Sequence, residues 1–295
     1  MGYLTSGLAL IALASLAGCA TKEPVPAAEQ AVTVDFALVA GAQPVNCGQP
    51  FGPLGHDRKR LALHDARFYV QDVALIDAAG QRVPLRLDIN DWQDAQVALL
   101  DFEDGSGHCA GGTPGINTQV SGQVPPGHYR GLSLTLGVPE ALNHSSTELQ
   151  GAPLDLATMG WSWQAGRKFI KLEVDPVGGV TKADGAKAST WYLHLGATGC
   201  SGNPVNGETV ACQRANRIPL TLPDFDPGRQ RVVLDLAALF QDSTLGQDRG
   251  SALGCMSGPS DPECVTLFAR LGLDLNSGLP LQPGQSPAFA ARAKP

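Results

Sequence analysis

The chain has 295 residues, 43% of them apolar and 17% charged, with a formal net charge of −7. That length and apolar content suit one large globular domain, and the negative balance argues against a nucleic-acid partner. Seven cysteines without a single Cys-x-x-Cys pair argue against a zinc ribbon or a thiol oxidoreductase.

In chain order, the first feature is an export signal. Leu8 to Leu16 is an apolar run too short to span a bilayer, and Leu16-Ala17-Gly18-Cys19 fits a lipobox. Residues 1–18 are therefore expected to be a cleaved lipoprotein signal peptide, leaving Cys19 lipidated at the new N-terminus. Ala20 in place of Asp directs such an anchor to the outer membrane, with the chain facing the periplasm. Residues 19–31 are small, polar and Pro-bearing, a tether between lipid and domain.

Residues 32–277 read as one β-rich domain. Val32–Val39 alternates apolar and polar positions, and Ala66–Ile76 leads through the turn Asp77-Ala78-Ala79-Gly80 into Arg82–Leu87. Tyr129–Leu136, Ile170–Val174, Trp191–Leu195, Arg217–Leu222 and Arg231–Leu236 complete the strands. In Ile170–Val174, Lys171 and Glu173 take the face opposite the apolar residues. With 35 glycines and 22 prolines, the pattern predicts an all-β class. The expected architecture is an antiparallel β-sandwich or barrel-like domain with long disulfide-stapled loops and a short C-terminal helix. Asp261 is placed as that helix's N-cap and Pro262 at its first position, with Leu267, Phe268 and Leu271 on one face. Residues 278–295, rich in Pro, Ala and Gln, read as a flexible tail.

Setting Cys19 aside leaves Cys47, Cys109, Cys200, Cys212, Cys255 and Cys264. An even count in an exported chain reads as three disulfides. Short separations favour Cys200–Cys212 and Cys255–Cys264, which leaves Cys47–Cys109 as the long-range staple.

The chemistry-bearing segment is Met159-Gly160-Trp161-Ser162-Trp163-Gln164. On a strand, Met159, Trp161 and Trp163 share one face, a pattern that half-buried packing also produces. Histidines lie on either side: His144, and His194 in Trp191-Tyr192-Leu193-His194-Leu195. His194 shares a face with Tyr192, so it either faces solvent or lines a site. Imidazole and thioether suit a soft ion such as Cu(I). His64 beside Asp65 is a further ligand candidate, since Asp65 could orient the ring. Met159 and Met256 read as core packing before ligands. His56, His108 and His128 sit in Gly- or Pro-flanked loops and read as exposed. The acidic stretch Asp101-Phe102-Glu103-Asp104-Gly105 lacks EF-hand spacing and reads as a solvated turn. No Gly-x-Ser-x-Gly, P-loop or His-Glu-x-x-His occurs, so the chain is not expected to be an enzyme.

Several of these segments resemble the MbnP family, also called metallo-mystery-pair four-Cys proteins. They are Leu142-Asn143-His144, the Trp161 and Trp163 cassette with Gly166 and Lys168-Phe169, Leu193-His194-Leu195-Gly196 ending in Thr198-Gly199-Cys200, Asp65-Ala66-Arg67-Phe68-Tyr69-Val70, Gly137-Val138-Pro139, and Gly254-Cys255-Met256-Ser257-Gly258 followed by Asp261-Pro262-Glu263-Cys264. They occur in the expected order from about residue 32 to about residue 275. The resemblance implies a periplasm-facing copper-binding protein whose partner is a di-haem enzyme similar to MauG and bacterial cytochrome c peroxidases. That partner oxidises the first tryptophan of the pair, here Trp161, to kynurenine, which then binds copper as Cu(I). Mapped onto this chain, the expected ligands are His144, His194 and Trp161 as kynurenine. Gly160 and Arg167 depart from the bulky or aromatic residues common at those positions. The competing expectation is a structural or adhesive cell-surface β-sandwich lipoprotein without metal.

Overall fold

The structure is a computed structural model that describes residues 1–3, 28–162, 164–203 and 206–295. The lipobox, Cys19 and Trp163 lie outside the described residues. The architecture is mostly β, built from two large sheets and three two-stranded ribbons. No helix among the described residues is long and apolar enough to cross a membrane.

One sheet runs in the order Phe289–Ala293, Gln230–Asp235, Gln30–Ala40, Gln119–Val124, Arg86–Leu87. Its pairs are antiparallel except Gln30–Ala40 with Gln230–Asp235, which are parallel. The other runs Trp191–Leu195, Ile170–Pro176, Lys59–Asp77, Tyr129–Leu136, Ile218–Pro223 and is antiparallel. Lys59–Asp77 is its spine. This 19-residue strand also takes Phe51–Leu54, Arg82–Pro84 and Val97–Asp101 along its other edge. Breaks in register at Gln71/Ala74, with Asp72 at φ 57°, let so long a strand bend around the core rather than run straight.

Alternation decides what lies between the sheets. Val34, Phe36 and Leu38 of the first sheet meet Ala66, Phe68, Leu172 and Leu193 of the second in one apolar core. Phe68 is its hub, with ring centroids 6.1 Å from Phe36, 5.6 Å from Phe102 and 5.9 Å from Phe289. Burying a side chain of this size stabilises the fold by about 1.5–3 kcal/mol. The second sheet is also covered on its outer face. There Tyr69, Val97, Leu99 and Phe169 pack under Val138, Leu154 and Met159 of the 138–169 segment. A sheet buried on both faces is what makes an enclosed polar site possible in this fold.

Three disulfides staple the loops: Cys47–Cys109, Cys200–Cys212 and Cys255–Cys264, with sequence separations of 62, 12 and 9. Each such bond contributes about 2–4 kcal/mol. The C-terminal helix spans Cys264–Leu271 and buries Leu267, Phe268 and Leu271. It starts later than expected. Its N-cap is Glu263, and Asp261 instead accepts the Glu263 N–H at 3.1 Å, so the Asp-Pro-Glu turn precedes the helix.

Two boundaries are corrected. The first strand begins at Gln30, so the tether ends earlier than residue 31. Residues 278–295 are not a loose tail, because Phe289–Ala293 forms the edge strand beside Gln230–Asp235. Phe289 is only 5% exposed, and its ring completes the Phe68 cluster. We expect Phe289→Ala to lower stability by about 3 kcal/mol. Urea denaturation followed by tryptophan fluorescence tests this, and an unchanged midpoint would show that the terminal strand is dispensable.

Candidate metal centre

The covering segment is pinned by two buried cations. Arg167 is 2% exposed and directs its guanidinium at backbone carbonyls. Nη1 donates to Leu142 O, to Asn143 O at 3.3 Å and to Ser145 Oγ at 3.1 Å; Nε and Nη2 donate to Leu154 O at 3.3 and 2.9 Å. Lys168 Nζ donates to Thr158 O at 2.7 Å and Gly160 O at 3.1 Å. Burial pushes both side chains below their ordinary pKa values.

Asn143 ties this segment to a histidine. Its Oδ1 accepts the Arg167 N–H at 3.0 Å, which turns the amide nitrogen toward His144 Nε2, also at 3.0 Å. Gly166 has φ 84°, and a Cβ there would lie 2.7 Å from the Asn143 amide, so only glycine permits this contact. His144 Nε2 is also 3.3 Å from Cys212 Sγ. His144, Cys200 and Cys212 form the one group of possible ligands among the described residues whose donor atoms lie within 4.8 Å of one another. The two sulfurs are bonded to each other, so the imidazole is its only strong donor.

Trp161 is half-buried and follows the 3-10 turn Ala157–Met159. Its ring lies over Gly196, where a Cβ would come within 2.5 Å of Trp161 Cζ3. The residue walls two clefts. One, of about 620 Å³, also presents His144, Asn143 and Arg167; the other, of about 550 Å³, presents Met256 and Cys200. Met159 is fully buried in the outer apolar cluster and shares neither cleft, because the turn takes it off the Trp161 face.

His194 is placed differently. It is buried at 7% exposure, and its Nε2 lies 2.7 Å from Glu173 Oε1 on the neighbouring strand. Burial pushes the imidazole below its ordinary pKa, against the opposing pull of Glu173. Burial also works against the Glu173 carboxylate, but the His194 hydrogen bond and the Lys171 charge outweigh it and lower its pKa to about 2. The ring nitrogen Nε2 is thus the one held by the Glu173 carboxylate. Ser257 Oγ donates to His194 O at 2.8 Å and accepts the Gly196 N–H at 3.1 Å, joining His194 to the glycine under Trp161. His64 reaches the same carboxylate from the other side, with Nε2 3.8 Å from Glu173 Oε2 and Nδ1 3.3 Å from Asp175 Oδ2. Asp65 does not orient it. Asp65 is taken by Arg67 at 2.8 Å and by Lys171.

The structure thus brings His144 and Trp161 to one cleft, and His194 and His64 to one carboxylate, with Gly196 and Ser257 between the two groups. His194 is not on the lining of the His144 cleft. Glu173, Asn143, Arg167 and Gly196 carry this geometry. Of these, Asn143 and Gly196 stand in the motif segments and Arg167 shows as a departure from the usual pattern, whereas Glu173 reads only as a polar strand position. The acidic stretch is also corrected: Asp101 and Glu103 are fully buried, bonded to Arg67, and Glu103 accepts the Thr113 N–H at 2.6 Å and the Gly105 N–H at 3.0 Å. It is an internal staple for the 104–113 loop, not a solvated turn.

Glu173 has a folded pKa below its ordinary value, so its contribution is present above about pH 4.5 and is lost as pH falls toward 2. The loss is on the order of 3 kcal/mol. Glu173→Gln should flatten stability across that window while keeping an acceptor for His194. Chemical denaturation at several pH values checks this, and parallel curves for the two proteins would remove Glu173 from the account.

The MbnP family profile matches residues 29–257. A solved structure, MbnP from Methylosinus trichosporium, is similar at 46% identity and a TM-score of 0.86, over 90% of this chain and 99% of that one. No curated protein matches the chain. With a family match over most of its length and a relative of this identity and coverage, the chain belongs to the MbnP family.

Proposed function

We propose that this chain is a copper-binding protein of the bacterial envelope whose site is completed when Trp161 is oxidised to kynurenine. The observation that carries the reading is the position of Trp161. It is half-exposed on the wall between His144 and Met256, with its ring on Gly196, two residues past His194. Indole offers only an N–H donor there, whereas kynurenine would offer an aniline nitrogen and a ketone oxygen. Glu173 holds the His194 ring as carboxylates hold metal-bound imidazoles elsewhere. Two buried cations beside Trp161, Arg167 and Lys168, disfavour a doubly charged ion relative to a singly charged one, in keeping with Cu(I). His64 then serves as an outer candidate, sharing Glu173 with His194.

On this reading the protein is not an enzyme. Its oxidation is the work of a di-haem partner resembling MauG and the cytochrome c peroxidases, and Cys19 anchors it by lipid to the outer membrane on the periplasmic side. Its role lies in copper homeostasis or acquisition.

Chain co-produced with the di-haem partner should carry a residue about 4 Da heavier at Trp161 and hold one copper. Chain made without the partner should keep an intact Trp161 and bind copper poorly. His144→Ala and His194→Ala should each abolish tight copper binding without unfolding the domain. Peptide mass mapping and metal analysis read all of these. Modification elsewhere, equal affinity with and without oxidation, or stoichiometric copper in both histidine variants would reject the assignment.

A further inference from the structure

The three disulfides differ in what surrounds them. Cys47 and Cys109 are 1% and 0% exposed, and Cys255 and Cys264 are fully buried, all four within the main core. Cys200 and Cys212 are half-buried at the margin of the outer apolar cluster. Cys200 opens on the cleft that also presents Trp161 and Met256. Cys212 lines a separate cavity of about 30 Å³ with His144, Asn143 and Arg217. A thiolate breaks a disulfide only where it can reach a sulfur, so this bond is the one of the three open to a reductant.

The local frame keeps the two cysteines together whether or not they are bonded. They face each other across a two-stranded ribbon, Thr198–Ser201 against Ala211–Arg214, with Thr198 opposite Arg214 and Ser201 opposite Ala211. Arg214 Nε also donates to Thr198 Oγ1 at 2.9 Å. Directly opposed residues on paired strands keep their Cβ atoms about 4.5–5.5 Å apart, so two unbonded sulfurs stay within reach of one ion. His144 Nε2, 3.3 Å from Cys212 Sγ, is the third donor, and the three donor atoms lie within 4.8 Å of one another. An ion there takes the position on His144 Nε2 that the Asn143 amide nitrogen holds at 3.0 Å. The cavity against Cys212 and His144 has room for a single ion or water.

We propose that Cys200–Cys212 is a redox-labile disulfide, and that once it is reduced its two sulfurs and His144 bind Cu(I). The exchange balances. A dithiol reductant gives up two electrons and two protons, the S–S bond breaks, two cysteine thiols form, and the reductant leaves as a disulfide. Copper then displaces the thiol protons, because the thiolate is the ligand. Thiolate donors are soft and select Cu(I) over hard cations. The Arg217 guanidinium on the same cavity favours the thiolate form. This site shares His144 with the function proposed above but does not require Trp161 to be oxidised. The chain thus has two ways of holding copper that compete for one imidazole, and reduction selects between them.

The test uses the full chain produced without the di-haem partner, so that Trp161 is intact. Graded reduction with a phosphine, followed by alkylation and peptide mapping, should label Cys200 and Cys212 while the other four cysteines stay paired. Earlier labelling of any of those four would overturn the lability. Chain reduced to that stage should take one Cu(I) from its bicinchoninate complex under nitrogen and gain sulfur-to-copper absorption in the ultraviolet. Unreduced chain should do neither. Cys200→Ser combined with Cys212→Ser should lose the uptake, with circular dichroism confirming its fold. If that variant does not fold, His144→Ala decides, and should weaken uptake by the reduced chain roughly tenfold or more. Equal uptake with and without reduction, no uptake by the reduced wild type, or undiminished uptake by the folded variant would overturn the site. None of these results depends on whether Trp161 can be oxidised, so failure of the kynurenine reading leaves them unchanged.

Discussion

Arg167 carries a full positive charge to a place that is 2% exposed, and among the described residues no carboxylate meets it there. Its donors go to the carbonyls of Leu142, Asn143 and Leu154 and to the Ser145 hydroxyl. Hydrogen bonds to a charged group are worth about 1.5–3 kcal/mol each, against a desolvation cost of several kcal/mol for the ion. The arrangement is stable only while all of these acceptors stay in place. That condition turns an irregular stretch of chain into a fixed cover over the outer face of the sheet. The Asn143 amide, the His144 ring and the edge of Trp161 are consequences of it.

Beside the apolar cluster under the cover, the outer face of the second sheet carries a polar patch. Asp65, Arg67, Lys171, Glu173 and His194 come from three adjacent strands and form a continuous network. Such groups are tolerable inside a protein only when they are paired with one another. Here the pairing also positions a ring, because the carboxylate that balances Lys171 holds His194 Nε2. Asp101 lies at the far end of the same network, where burial pushes its carboxyl up to about 6 despite Arg67.

Glycine has a specific part in the site. Gly196 and Gly166 are places where any Cβ would strike Trp161 or Asn143. Both belong to segments that bring histidines near the tryptophan. Close approach of the indole to the sheet leaves its ring half-exposed on the opposite side, between two clefts.

Much of this was legible in the sequence. Alternation at 32–39, 129–136, 170–174 and 191–195 marks strands because side chains on a strand repeat every two residues. Cysteines 12 and 9 residues apart close on each other because short loops keep them near. The order of the motifs around His144, Trp161 and His194 was enough to place the chain in its family. What the sequence could not decide was burial on the outer face. Lys171 and Glu173 alternate with apolar residues as solvent-facing residues do, and Asp101 and Glu103 have the composition of a surface turn. Glu173, Asp101 and Glu103 are buried and Lys171 is half-buried, because segments distant in the chain fold over them. The same reason applies to Phe289, whose partner Phe68 lies more than two hundred residues earlier, and to the division of the histidines between the Trp161 cleft and the Glu173 carboxylate. Local pattern records which residues share a face; only the tertiary structure decides what covers that face, since the covering contacts are made between residues that no local period connects.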